Sequence, residues 1–114
     1  MKYVIVENRV AKLVSNVIED YYGHFEVRYG NDPSHLYIGY YSDNYKDEDG
    51  DKRTAFMVDC YRKILWIEDE SFYNYLISLF GANEEEDIKY ILNLLKEYFE
   101  KNYNIIVDKV LTDI

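Results

Sequence analysis

Apolar positions along the chain change their period twice. Val10, Leu13, Val14, Val17, Ile18 and Tyr21 recur three and four residues apart and Gly23 follows, which predicts a first helix over about residues 8–22. The preceding Tyr3–Val6 carries two signals: Tyr3 and Val6 extend the helical stripe, whereas Val4, Ile5 and Val6 are β-prone. A short strand and an extra helical turn both stay open there. From His24 to Asp69 the period is two. Phe25, Val27 and Tyr29 alternate with His24, Glu26 and Arg28, and Gly30-Asn31-Asp32-Pro33-Ser34 then signals a turn. Leu36–Tyr41, Thr54–Tyr61 and Lys63–Glu68 follow as three more strands, and the short connections favour an antiparallel meander.

The helical period returns at Ser71, which is placed to cap a helix running to Phe80 with Phe72, Leu76, Ile77, Leu79 and Phe80 as its apolar set, stopped by Gly81. Asn83 followed by Glu86 has the spacing of a capping box, and Ile88, Ile91, Leu92, Leu95 and Phe99 form a stripe, predicting a third helix over about residues 84–102. Asn104–Leu111 reads as a final strand or as continued helix. The expected fold is a single α+β domain over residues 1–114: a four-stranded antiparallel meander, one N-terminal helix, two C-terminal helices and an optional terminal strand.

Strand phase bears on function. Leu36, Ile38 and Tyr40 face one way and Tyr37 and Tyr41 the other, while Met57 and Tyr61 oppose Phe56, Val58 and Cys60. Both sheet faces are therefore partly apolar. Three helices are available to pack on one sheet, which favours coverage within the chain; otherwise the second face is exposed and binds something. Pairing the second and third strands about their loop sets residues whose numbers total about 96 opposite one another, and pairing the first two about residue 32 sets His24 opposite Tyr40 and His35 opposite Tyr29.

Composition narrows the classes. The chain has 22 Asp+Glu against 13 Lys+Arg, a net charge of -9, with 48% hydrophobic residues, so it reads as a folded and strongly anionic globule. Such a field repels phosphate backbones and anionic lipid, so direct nucleic-acid and membrane binding are not expected. The 14 Tyr fit either an interaction surface or the drift of an AT-rich genome that also favours Lys, Asn and Ile. Cys60 is the only cysteine, which excludes an internal disulfide and a four-cysteine zinc site. Without a signal-peptide pattern in MKYVIVENRV, and with a reduced thiol, the expected location is the cytoplasm.

Candidate chemistry is sparse. Around Gly50 the loop Asp43–Asp51 lacks the first carboxylate and the terminal Glu of a calcium loop, since those positions hold Tyr45 and Phe56. Cys60 falls in phase with Phe56 and Val58 and reads as a structural thiol, and the scattered glycines form no phosphate loop. Asp59 and Glu68, on neighbouring strands, are a carboxylate pair of low information. No catalytic residue, metal or cofactor is expected, and the chain is not read as an enzyme.

What remains is clustered acid: Glu68-Asp69-Glu70, and two longer runs, at Asp43, Asp47, Glu48, Asp49 and Asp51 and at Glu84, Glu85, Glu86 and Asp87. In size, charge and composition the chain resembles the small acidic inhibitors carried by bacterial viruses, including anti-CRISPR and anti-restriction proteins. The resemblance implies a steric and electrostatic mechanism. Both acidic runs would contact Lys and Arg of a basic protein target, such as a nuclease or other nucleic-acid-binding protein, with Tyr37, Tyr41 and Tyr61 as anchors. In that case the location would be the host cell cytoplasm. An immunity protein that neutralises a basic toxin predicts the same surface. A small-ligand domain or enzyme instead predicts a pocket lined by Tyr37, Tyr41, Met57 and Tyr61. Homodimerisation through the apolar face is compatible with each.

Overall fold

The computed structural model describes residues 7–32 and 35–112, so the Tyr3–Val6 question and the Pro33-Ser34 turn lie outside the described residues. In chain order the elements are α1 (Glu7–Tyr22), β1 (Glu26–Asp32), β2 (His35–Lys46), β3 (Lys52–Asp59), β4 (Ile64–Ile67), α2 (Glu70–Leu79), α3 (Glu85–Tyr103) and β5 (Lys109–Thr112). The strands form one sheet in sequential order, antiparallel from β1 to β4, with β5 added parallel to β4 after the two-helix crossover. The α+β class and the optional terminal strand are both present.

Side-chain alternation gives the sheet one strongly apolar face. Ile38, Val58 and Leu65 form one cross-strand row and Tyr40, Phe56 and Ile67 the next, all buried. Every helix packs on this face. Phe56 meets Tyr22 of α1 at 5.6 Å between ring centroids, Phe72 of α2 at 5.7 Å and Phe99 of α3 at 4.8 Å. Val14 and Ile18 complete the inner stripe of α1, although Leu13, expected in it, is half exposed.

Polar contacts fix the joints. Asp69 is buried and caps α2: its Oδ1 accepts from the Phe72 amide at 3.2 Å and its Oδ2 from the Tyr22 hydroxyl at 2.8 Å. One carboxylate thus ties the end of α1 to the start of α2. The Ser42 hydroxyl donates to the Tyr22 carbonyl, and Gly23, at φ 70, closes the helix with its amide on the Glu19 carbonyl. At the far end of α3, Asn104 takes a left-handed conformation and the Asp108 amide donates to the Lys63 carbonyl, leading the chain into β5 beside β4.

Several expectations are corrected. Asp69, not Ser71, caps α2, because it alone reaches both the helix amide and the Tyr22 hydroxyl. The Asn83–Glu86 capping box is not formed: Glu84 occupies the cap position and its side chain makes no cap hydrogen bond. β1 runs on through Gly30, Asn31 and Asp32, and Asp32 pairs with His35. The odd shift in register puts Val27, not His24, opposite Tyr40 and Ile38, not His35, opposite Tyr29. β2 extends to Lys46 rather than ending at Tyr41, carried past irregular pairing at Tyr41. The pairs Tyr37–Asp59 and Tyr40–Phe56 do keep the predicted β2–β3 register. The final strand starts at Lys109, so the apolar run of Ile105, Ile106 and Val107 is connector, with Val107 buried and Ile106 exposed.

Replacing Asp69 by Ala removes a helix cap and leaves the Tyr22 hydroxyl buried without its acceptor. The expected loss is about 2–4 kcal/mol in urea unfolding. Burial and the Asp69 carboxylate push the Tyr22 phenol above its ordinary value near 10, and burial pushes Tyr98 up to about 12. The folded state therefore holds these protons more tightly than the unfolded chain does. Their contribution to stability is complete below pH about 10 and falls as pH rises beyond it. Urea unfolding between pH 8 and 11.5 checks this, and Tyr22→Phe should flatten the decline.

Candidate functional site

With the helices all on one side, the other sheet face is left uncovered among the described residues. One row crosses all five strands there: Arg28 opposite Gly39, Gly39 opposite Met57, Met57 opposite Trp66, and Trp66 opposite Leu111. Tyr41 lies on its hairpin side beside Glu26 and Thr54. On its other side lie Tyr37, Asp59, Ile64 and Lys109. Tyr37, Tyr41, Met57, Ile64, Trp66 and Leu111 are all half-buried, each at a register position next to another of them on a neighbouring strand or beside this row. Coverage of this face by the helices is the expectation the structure overturns, because the apolar stripes of α1, α2 and α3 all meet the Tyr40–Phe56 row.

Gly39 shapes the centre of the face. A Cβ there would sit 2.7 Å from Cε1 of Tyr41, so the Tyr41 ring lies across the glycine. The Arg28 guanidinium stacks on the same ring, 4.2 Å from its centroid. Glu26 pairs with Arg28 and also with Lys52 Nζ at 3.1 Å, and Lys52 reaches Asp43 at 3.1 Å. These donated hydrogen bonds hold the Glu26 carboxyl below the usual carboxylate range. The hairpin edge of the aromatic face is therefore a chain of alternating charges.

Beyond it stands the β2–β3 hairpin tip. Asp47 Oδ1 accepts from the amides of Asp49 at 2.9 Å and Asp51 at 3.0 Å, and the Asp47 amide donates to the Asp51 carbonyl. Asp47 thus builds the loop, with Gly50 supplying a positive φ, and Glu48, Asp49 and Asp51 are presented outward. The partner-contact role expected of Asp47 is joined by a structural one.

Other expected residues are dispersed. Glu84 sits at the N-cap of α3 and Glu85, Glu86 and Asp87 in its first turn, where they suit the helix dipole and Glu85 pairs with Lys89 at 3.3 Å. They belong to the helical layer, on the opposite side of the sheet from Tyr37 and Tyr41. Tyr61, 71% exposed, sits in the β3–β4 turn, whose geometry comes from buried Asp59 accepting from the Tyr61 and Arg62 amides. Asp59 and Glu68 do not form a carboxylate pair. Asp59 pairs with Ile64 at one end of β4, whereas the Glu68 amide bonds to Ala55 at the other.

Trp66, Arg28, Ile64 and Leu111 were not singled out from the sequence. The signal for Trp66 was available: with Leu65 and Ile67 facing inward, the only tryptophan must face out.

Burial and Asp59 push the Cys60 thiol up, which disfavours the thiolate. Among the described residues no three His, Cys, Asp or Glu side chains group to hold a metal. A cleft of about 430 Å³ opens between α1 and α3 and one of about 200 Å³ between α3 and β5, and neither draws on Tyr37, Tyr41, Met57 or Tyr61. No described helix is long and apolar enough to cross a membrane. Comparison with protein-family models, with curated proteins and with solved structures finds no match to this chain.

Gly39→Ala tests how firmly the face is set. The gain in strand entropy and the forced swing of Tyr41 are each about 1 kcal/mol and opposed, so stability should stay within about 1 kcal/mol of the parent. The Tyr41 ring resonances should shift in NMR spectra. A loss of several kcal/mol would instead show that the ring is locked to the sheet.

Proposed function

We propose that this protein is a small acidic protein-binding inhibitor that docks its open sheet face on a target, with the hairpin tip engaging basic residues beside it. The supporting observation is the uncovered row of Met57, Trp66 and Leu111 flanked by Tyr37 and Tyr41, next to the outward carboxylates of Glu48, Asp49 and Asp51. An apolar, aromatic centre with a charged rim is the anatomy of a protein interface. Aromatic rings already held in place lose little freedom on binding, which suits them as anchors.

The acidic rim favours a basic target, and a nucleic-acid-handling protein offers such a groove. Steric block of that groove is the mechanism proposed, in the manner of anti-CRISPR and anti-restriction inhibitors. The Glu84–Asp87 run takes no part in this contact, since it belongs to the helical layer. A toxin-neutralising role would use the same surface and differ only in the target. The small-ligand reading as drawn around Tyr37, Tyr41, Met57 and Tyr61 has less support, because none of these lines either of the two clefts described.

The experiment is capture of nucleic-acid-binding proteins from lysate on the immobilised protein at low salt, followed by affinity measurement on the retained target. Tyr41→Ala, and separately the triple change Glu48→Lys, Asp49→Lys and Asp51→Lys, should each weaken binding roughly tenfold or more. The triple variant should also lose most of the salt dependence. Emission from Trp66, the only tryptophan, should shift to the blue as the target covers it. Unchanged affinity in the Tyr41 variant would remove the face from the interface.

A further inference from the structure

We propose that a second copy of this chain closes the open sheet face, forming a two-fold dimer in which the hairpin tip of each copy lies against the β3–β4 turn of the other. The inference goes beyond the proposed function, and it needs no target.

The argument is one of charge placement along the strands. At one end of the face stand the outward carboxylates of Glu48, Asp49 and Asp51. At the opposite end the β3–β4 turn presents exposed Arg62 and Lys63. Lys63 makes no ion pair among the described residues, and Arg62 only a long one, 3.8 Å, to Asp59. The hairpin tip is therefore net acidic even with Lys46, Lys52 and Arg53 at its base. The middle of the face is apolar, and the β3–β4 turn is net basic with Asp59 set against Arg62 and Lys63, a pattern complementary to itself reversed. Sheets that face each other about a two-fold axis lying across the strands have their strand directions reversed, which brings tip to turn twice. An axis along the strands would set tip against tip, carboxylate against carboxylate. Charge thus selects one of the two ways in which the face can meet its own copy.

The middle of the face suits this occupant. Met57, Ile64 and Leu111 are aliphatic and would gain little from stacked bases, and the net charge of -9 opposes a phosphate backbone. Five strands spaced about 4.8 Å apart and three rows deep cover about 400 Å² per copy. With the end contacts the total approaches 1,000 Å², the lower limit of specific interfaces. The repulsion between two copies of charge -9 acts against association. A weak dimer with a dissociation constant in the micromolar range follows, one that a tighter target can split.

Sedimentation equilibrium from about 5 to 500 μM, with Trp66 emission followed over the same range, tests the proposal. The parent protein should move from monomer to dimer as the emission shifts to the blue. Two charge variants separate the mechanism from general stickiness. Glu48→Lys with Asp49→Lys and Asp51→Lys makes both ends positive, and Arg62→Glu with Lys63→Glu makes both ends negative. Each variant alone should be monomeric at 500 μM with parental circular dichroism, and an equimolar mixture should recover the dimer. A parent that stays monomeric at 500 μM overturns the proposal, as does a mixture that stays monomeric. So does a monomer whose Trp66 responds to single-stranded oligonucleotide, which would assign the face to nucleic acid. Failure here leaves the capture experiment untouched, and a protein without a captured target can still dimerise.

Discussion

Everything in this structure depends on where Phe56 finds its neighbours. Its ring meets one aromatic side chain from each helix, with centroids 4.8 to 5.7 Å apart. Tyr22 and Phe72 also touch each other at 4.9 Å, and Tyr40 extends the cluster to Phe99 at the same separation. Aromatic pairs at these distances add favourable edge-to-face terms to their large buried area. The consequence is directional. Three amphipathic helices converge on one patch of one sheet face, and none remains to cover the other.

Asp69 makes that convergence specific. An apolar cluster alone tolerates many arrangements of helices, because burial is proportional to area and has little direction. A buried carboxylate that must accept from both the Tyr22 hydroxyl and the Phe72 amide does not. It sets the end of α1 and the start of α2 at one distance, while the Asp69 amide, bonded to the Ala55 carbonyl, fixes both to β3. The irregular pairing at the Ala55 end of β3 is therefore where sheet and helical layer are joined.

Much of the fold was legible because local pattern and tertiary need agree. The stripe of Ile88, Ile91, Leu95 and Phe99 reads as a helix, and alternation from Leu36 to Tyr41 and from Phe56 to Cys60 fixes phase and the β2–β3 register up to the irregularity at Ala55. The failures share a cause. Caps, bulges and strand ends are decided by partners distant in sequence: Asp69 outcompetes Ser71 through Tyr22, 47 residues away. Two acidic runs that look alike in sequence fall in different places, one at the tip of the β2–β3 hairpin and the other at the start of α3 in the helical layer, which no periodicity reveals. The direction of Trp66 was legible in principle from its flanking residues. Its exposure was not, since that depends on the helices choosing the same face.

Four of the tyrosines bear on the proposal that the open face is a docking surface. Tyr22 and Tyr40 are fully buried in the aromatic core, whereas Tyr37 and Tyr41 stand on the uncovered face, one on either side of the Arg28–Leu111 row. Tyr41 is held there by two independent features, a glycine opposite its ring and a guanidinium stacked upon it. An exposed phenol needs neither. Ring, glycine and arginine together cost strand propensity at Gly39 and side-chain freedom at Arg28. In the proposed function such costs, on a face that no described helix touches, would be recovered when the target lies against the ring, because a ring already in place binds at a smaller loss of entropy.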